Sequence, residues 1–159
     1  PAGHGGALAA CLGLLAACLL PFGLASGFLR PGWPASARQA LALGATTFVL
    51  PGVVEELLFR VLPLPGPTEA FDWVKVSVIL FVFTFAYHMD AGHARQKAVF
   101  DDWRFLSMAL MVGAACTFVY VRSGSLWLAA AVHWLPVWLW LAFFGGASLL
   151  AEAEAGEGG

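Results

Sequence analysis

The chain has 159 residues, of which 60 % are hydrophobic, 14 % aromatic and only 11 % charged, with a mean hydropathy of +0.81. That composition lies outside the range of soluble domains and excludes a water-soluble globular enzyme. The formal net charge of -2 gives no basic surface for nucleic acid, and the length suits one domain.

Taken in chain order, the sequence predicts an all-α, polytopic transmembrane helix bundle with about five spanning helices, each needing about 20 apolar residues. The first runs from about Gly5 to Leu24. No Lys or Arg occurs in the first 24 residues, so it reads as a spanning helix rather than a signal peptide. The stretch "SGFLRPGWPASARQ" follows as a loop. The second span covers about Ala40 to Leu62, and the prolines of "PLPGPTEAFD" stop it. The third runs from about Phe71 to Met89. "DAGHARQKAVFDDWR" is the most polar stretch and reads as a loop or surface helix. The fourth runs from about Phe105 to Val121. "RSGS" is a tight turn whose serines can cap the fifth, about Leu126 to Phe144. These divide the chain into a first helix and loop over 1–39, a core over 40–146 and an acidic, glycine-rich tail over 147–159 that is expected to be disordered. Cys11, Cys18 and Cys116 all lie in apolar segments and read as small core or lipid-facing residues. The loops after the first and third spans carry Arg30, Arg38, Arg95, Lys97 and Arg104. The opposite loops offer Lys75 and Arg122, so the N-terminus is expected outside and the tail in the cytoplasm.

Charge inside the spans is rare, and where it occurs it points to chemistry. "VVEELLFR" places Glu55, Glu56 and Arg60 in the second span. A charge at the centre of a membrane helix costs roughly 2.5–3.5 kcal/mol on insertion scales. Glu56 and Arg60 are four apart, with the acid first, the favourable order for an ion pair. Glu55 then points about 100° away, with no partner on its own helix, which marks a functional site. The alternative is that all three lie near the helix end and reach headgroups. His88 ends the third span, and His133 lies inside the fifth, in "AAAVHWLPVWLW". A lone histidine in an apolar helix is commonly a hydrogen-bonded core residue. Two of them plus Glu55, on separate helices, are expected to converge on one cavity, because side chains in the bilayer must find partners among themselves. Straight antiparallel spans would leave Glu55 and His88 at different depths. A break at Pro51-Gly52 is the feature that could reconcile them.

These residues carry a family resemblance. "EELLFR" (Glu55 to Arg60) resembles the EExxxR motif of the CAAX protease and bacteriocin-processing family of intramembrane endopeptidases. "FVFTFAYH", ending at His88, resembles its FxxxH motif, and "GSLWLAAAVHWLPV" resembles its third, a Gly-Ser-Leu-Trp start followed by HxxxN. Order and spacing agree over about residues 40 to 141. Thr84 stands where the second motif has phenylalanine, Val137 where the third has asparagine, and Val61 where a glycine often follows the arginine. The resemblance implies hydrolysis of peptide bonds within the membrane, with the lipid bilayer and a membrane-associated peptide or protein substrate as partners. It implies no cofactor and a metal-free route. Glu55 would be the general base, His88 would hold the water and His133 would donate to the oxyanion, with Glu56 and Arg60 structural. A zinc site from Glu55, His88 and His133 is the alternative by ligand type. By function class the alternatives are an inactive scaffold or immunity-type protein, and a small transporter using Glu55 as a proton site.

Overall fold

The computed structural model describes residues 3–34, 36–70, 72–89 and 96–156, with the side chains of 3–5, 7, 86–89 and 156 outside the description. Among the described residues there are helices and no strands. The elements are α1 (Gly3–Ala25), α2 (Ala37–Thr47), a wide-turn segment (Phe48–Val53), α3 (Val54–Glu56) with a π-helical continuation (Leu57–Val61), α4 (Trp73–Met89), α5 (Lys97–Phe100), α6 (Trp103–Ser123), α7 (Leu126–Phe143) and α8 (Gly146–Gly156). Among the described residues, four stretches are long and apolar enough to cross a membrane: Leu8–Ala25, Ala37–Val61, Trp103–Ser123 and Leu126–Phe143. The fifth expected span is α4, whose 17 residues make it about 25 Å long.

Local chemistry sets the ends. Ser36 caps α2 by accepting from the Gln39 N–H at 3.1 Å, and Asp102 caps α6 by accepting from the Arg104 N–H at 2.8 Å. In "RSGS", Gly124 takes φ +65° to close α6, and Ser125 caps α7 by accepting from the Leu128 N–H. The second span is not one straight helix. Leu50 has φ -127° and ψ 116°, which is extended backbone, and Pro51 brings no N–H to a helical ladder. Helix resumes at α3 and loosens to π geometry, with the Leu62 N–H bonded to the Leu57 carbonyl at 3.1 Å.

α6 and α7 form the centre. Leu15 and Leu19 of α1 pack with Val112, Cys116 and Val119 of α6 and Val132 of α7. α2 is held to α7 by two indoles: Trp134 Nε1 donates to the Gly44 carbonyl at 2.8 Å, and Trp138 Nε1 to that of Ala40 at 2.9 Å. α4 runs antiparallel to α3. Val76 packs against Leu64 beyond the end of α3, whereas Phe83 stacks edge-on against Phe59 at 5.4 Å. The second span therefore stops part-way along α4.

The tail departs from expectation. Instead of disorder from residue 147, α8 is helical to Gly156. Leu149, Leu150 and Ala153 supply an apolar face that packs on Phe28, Leu29 and Val99. Glu154 accepts from Gln96 Nε2. The polar composition describes only the other face.

Candidate active site

Gly52 begins the site. A Cβ there would stand 3.3 Å from Cβ of Trp134 and 3.7 Å from the Ala130 carbonyl, so its hydrogen lets the broken span lie against α7. Three residues on, the chain presents Glu55, and next to it Glu56, about 100° around the axis.

Glu56 faces inward and is fully buried. Its Oε1 accepts from Arg60 Nη1 at 3.0 Å, the i,i+4 pair that the spacing implies, and lies 2.8 Å from Nδ1 of His133. Arg60 is equally buried. Its Nη2 donates to the Gly113 carbonyl at 3.0 Å, and its guanidinium sits 4.0 Å from the centre of the Phe83 ring. Gly113 makes this approach feasible, since a Cβ there would come within 2.7 Å of Phe83 and 3.2 Å of Nη2. Phe83 also stacks edge-on against His133, ring centres 5.4 Å apart. Nδ1 of His133 is thus spent on Glu56, which leaves Nε2 for other partners. Among the described residues, Glu56 Oε2 and Arg60 Nε are buried with no hydrogen-bond partner.

His133 is also on the wall of a cavity of about 340 Å³. Glu55 lines the same cavity, as do Thr84 and Val137, and the rest of the wall is mostly apolar. Two of the three expected site residues, Glu55 and His133, thus share one cavity. The side chain of His88, the third, lies outside the described residues. The backbone of His88 belongs to α4. Arg60 is level with Phe83, Glu55 is five residues before Arg60, and position 88 is five residues beyond Phe83 on an antiparallel helix. Positions 55 and 88 therefore stand at about the same depth. The difference in depth expected of straight spans disappears because the second span is broken and ends early.

Sequence reasoning missed the places of Gly113 and Phe83 in the site, and it read Cys116 only as a small core or lipid-facing residue. Cys116 is fully buried, and its Sγ lies within 4.8 Å of ligand atoms of Glu56 and His133. The one available signal was Gly113, a glycine inside an apolar helix, which often marks a close approach. Trp138 packs with its N–H donated to the Ala40 carbonyl of α2. Trp73 and Trp127 are exposed, as membrane-interface residues are.

No curated protein and no solved structure matches the chain. Residues 37–145, more than half of the chain and all of the motif-bearing helices, match the family described as Type II CAAX prenyl endopeptidase Rce1-like. With its apolar spans and the EExxxR glutamates on a broken helix, the chain is a multi-pass integral membrane protein that belongs to this Rce1-like family of CAAX proteases.

Proposed function

We propose that the protein is an intramembrane endopeptidase that hydrolyses peptide bonds of membrane-associated, CAAX-type substrates with a water activated by Glu55. The observation that carries this reading is the pair Glu55 and His133 on the wall of one largely apolar cavity. Glu55 takes a proton from water as the oxygen attacks the scissile carbonyl, then returns it to the leaving amine. His88, at the same depth on α4, holds the water. The carbonyl oxygen gathers negative charge, and His133 donates to it. Because Nδ1 is spent on Glu56, that donation runs through Nε2. Glu56 fixes the ring through Nδ1, and Arg60 holds Glu56 in place. No step of this route calls for a metal. The apolar wall, with Leu15, Leu19, Met108 and Trp140, suits a lipid-modified peptide.

A second reading, an inactive scaffold, is favoured by Val137, which puts an isopropyl group on the cavity wall where the family motif has an amide donor. An oxyanion donor is worth about 2.7–4 kcal/mol.

Cleavage of a prenylated, membrane-anchored reporter in liposomes separates the two. Glu55→Gln should lower turnover by about 10²–10⁴-fold, the contribution of a general base, with the fold intact. Val137→Asn should hold or raise turnover. Full activity of Glu55→Gln would remove the glutamate mechanism. Absence of turnover in every folded form would favour the scaffold.

A further inference from the structure

We propose that Thr84 is a second oxyanion donor of the peptidase, its hydroxyl taking the part that Val137 leaves empty. The role rests on the proposed peptidase reading and deepens it. Thr84 is buried, and it lies on the wall of the cavity that Glu55, His133 and Val137 share. Its neighbour Phe83 stacks edge-on against the His133 ring, with ring centres 5.4 Å apart. Thr84 follows about 100° around α4, so it continues the wall next to that histidine. Val137 is four residues after His133 on α7, about 6 Å along the axis, and its methyl groups donate nothing.

The other polar side chains on the described wall are engaged elsewhere. Gln96 donates to Glu154 of α8. Trp140 lies seven residues beyond His133, about 10 Å along α7, stacked on Phe28. Thr47 divides its hydroxyl between the Leu43 and Gly44 carbonyls, at 2.6 and 3.3 Å.

Thr84 Oγ1 donates to one carbonyl, that of Leu80, at 2.8 Å. The same carbonyl is the helical acceptor of the Thr84 N–H, so the hydroxyl hydrogen can turn away without leaving Leu80 unpaired. A neutral substrate carbonyl gives it little reason to turn. When water adds to the carbonyl carbon and Glu55 takes its proton, the carbonyl electron pair moves onto oxygen. A hydrogen bond to that anion is roughly twice as strong as one to a neutral carbonyl, and the hydroxyl turns to it. As the C–N bond breaks and the carbonyl forms again, the hydroxyl returns to Leu80. No proton leaves Thr84. A bond made only in the transition state raises kcat and leaves ground-state binding as it was.

The test uses the full chain in liposomes with the prenylated reporter, each variant being checked for its denaturation midpoint. Thr84→Val, which keeps the shape, should lower kcat about 10²-fold with KM little changed. Thr84→Ser, which keeps the hydroxyl, should turn over at least tenfold faster than Thr84→Val. Thr84→Ala carries the comparison with Thr84→Ser if the valine variant fails to fold. Adding Val137→Asn to Thr84→Val should recover at least tenfold, more than the same change adds to the parent. Thr47→Val, at the other back-bonded threonine of the wall, should keep its turnover. A folded Thr84→Val as fast as the parent, a loss confined to KM, or an equal loss in Thr47→Val overturns the role of Thr84. An active Thr84→Ser without recovery by Val137→Asn overturns the exchange with position 137 alone. Glu55→Gln decides the peptidase reading separately in each of these cases. No turnover in the folded parent overturns both.

Discussion

Glu55 and Glu56 are identical side chains one residue apart, and their surroundings separate them. Glu56 is fully buried between Arg60 and His133, whereas Glu55 reaches the cavity. The ion pair was legible in the sequence, because i,i+4 spacing and the cost of charge in an apolar span admit few alternatives. The bond from Glu56 to His133 was not legible, since the two are 77 positions apart and only the packing of α3 on α7 joins them. Glu56→Gln leaves the buried Arg60 without its counter-charge. The expected loss is about 3–5 kcal/mol of stability, read as a lower denaturation midpoint in detergent. Adding Arg60→Met should return much of the loss, because the unpaired charge is then gone. Unchanged stability of Glu56→Gln would mean that Arg60 is satisfied without it.

The elements depart from ideal spans where the site is built. The Pro51-Gly52 break could be read from the sequence, as those residues seldom continue a helix. The π turns of Leu57–Val61 could not, because nothing in those residue types distinguishes them from an ordinary helical turn. Gly113 on α6 is the tightest point of that packing. Gly113→Ala should push Phe83 and the Arg60 guanidinium aside, costing about 1–3 kcal/mol and lowering turnover with it. An alanine variant as stable and active as the parent would show that the ring and guanidinium have room to move. The α6 cap gives a pH test. Hydrogen bonds from the Arg104 side chain, and then from its N–H, hold the Asp102 carboxyl below its ordinary value. A depressed carboxyl stabilises the fold above its unfolded pKa of about 3.9, and that contribution fades as pH falls through the folded value. Between pH 6 and pH 3 the thermal midpoint of the parent should therefore fall further than that of Asp102→Asn. Equal slopes would remove the cap from the acid response.

For the molecule as a whole, composition and three motifs in order were enough to expect a membrane helix bundle of this family, and the match over 37–145 agrees. The C-terminal helix escaped because its acids hide an apolar face that becomes visible only against Phe28 and Val99. That packing also bears on orientation. The Arg30 N–H donates to the Phe144 carbonyl, Arg104 Nη1 donates to the Ser26 carbonyl, and α5 with Lys97 packs on α8. Arg30, Lys97 and Arg104 therefore gather at one end of the bundle, with Arg38 at the start of α2 beside them. Lys75 and Arg122 mark the other end, near the turns that join α3 to α4 and α6 to α7. An excess of basic residues near span ends faces the cytoplasm, so the α1–α2 loop and α8 are expected inside and the α3–α4 loop outside. Single cysteines at Ser36 and Thr68, in the Cys11→Ala/Cys18→Ala background, can report this through a membrane-impermeant thiol reagent on intact cells. Thr68→Cys should label at once, and Ser36→Cys only after the membrane is opened. The reverse pattern would place the acidic helix outside, and a cavity entered by a cytoplasmic substrate would then have to open between helices rather than at that end.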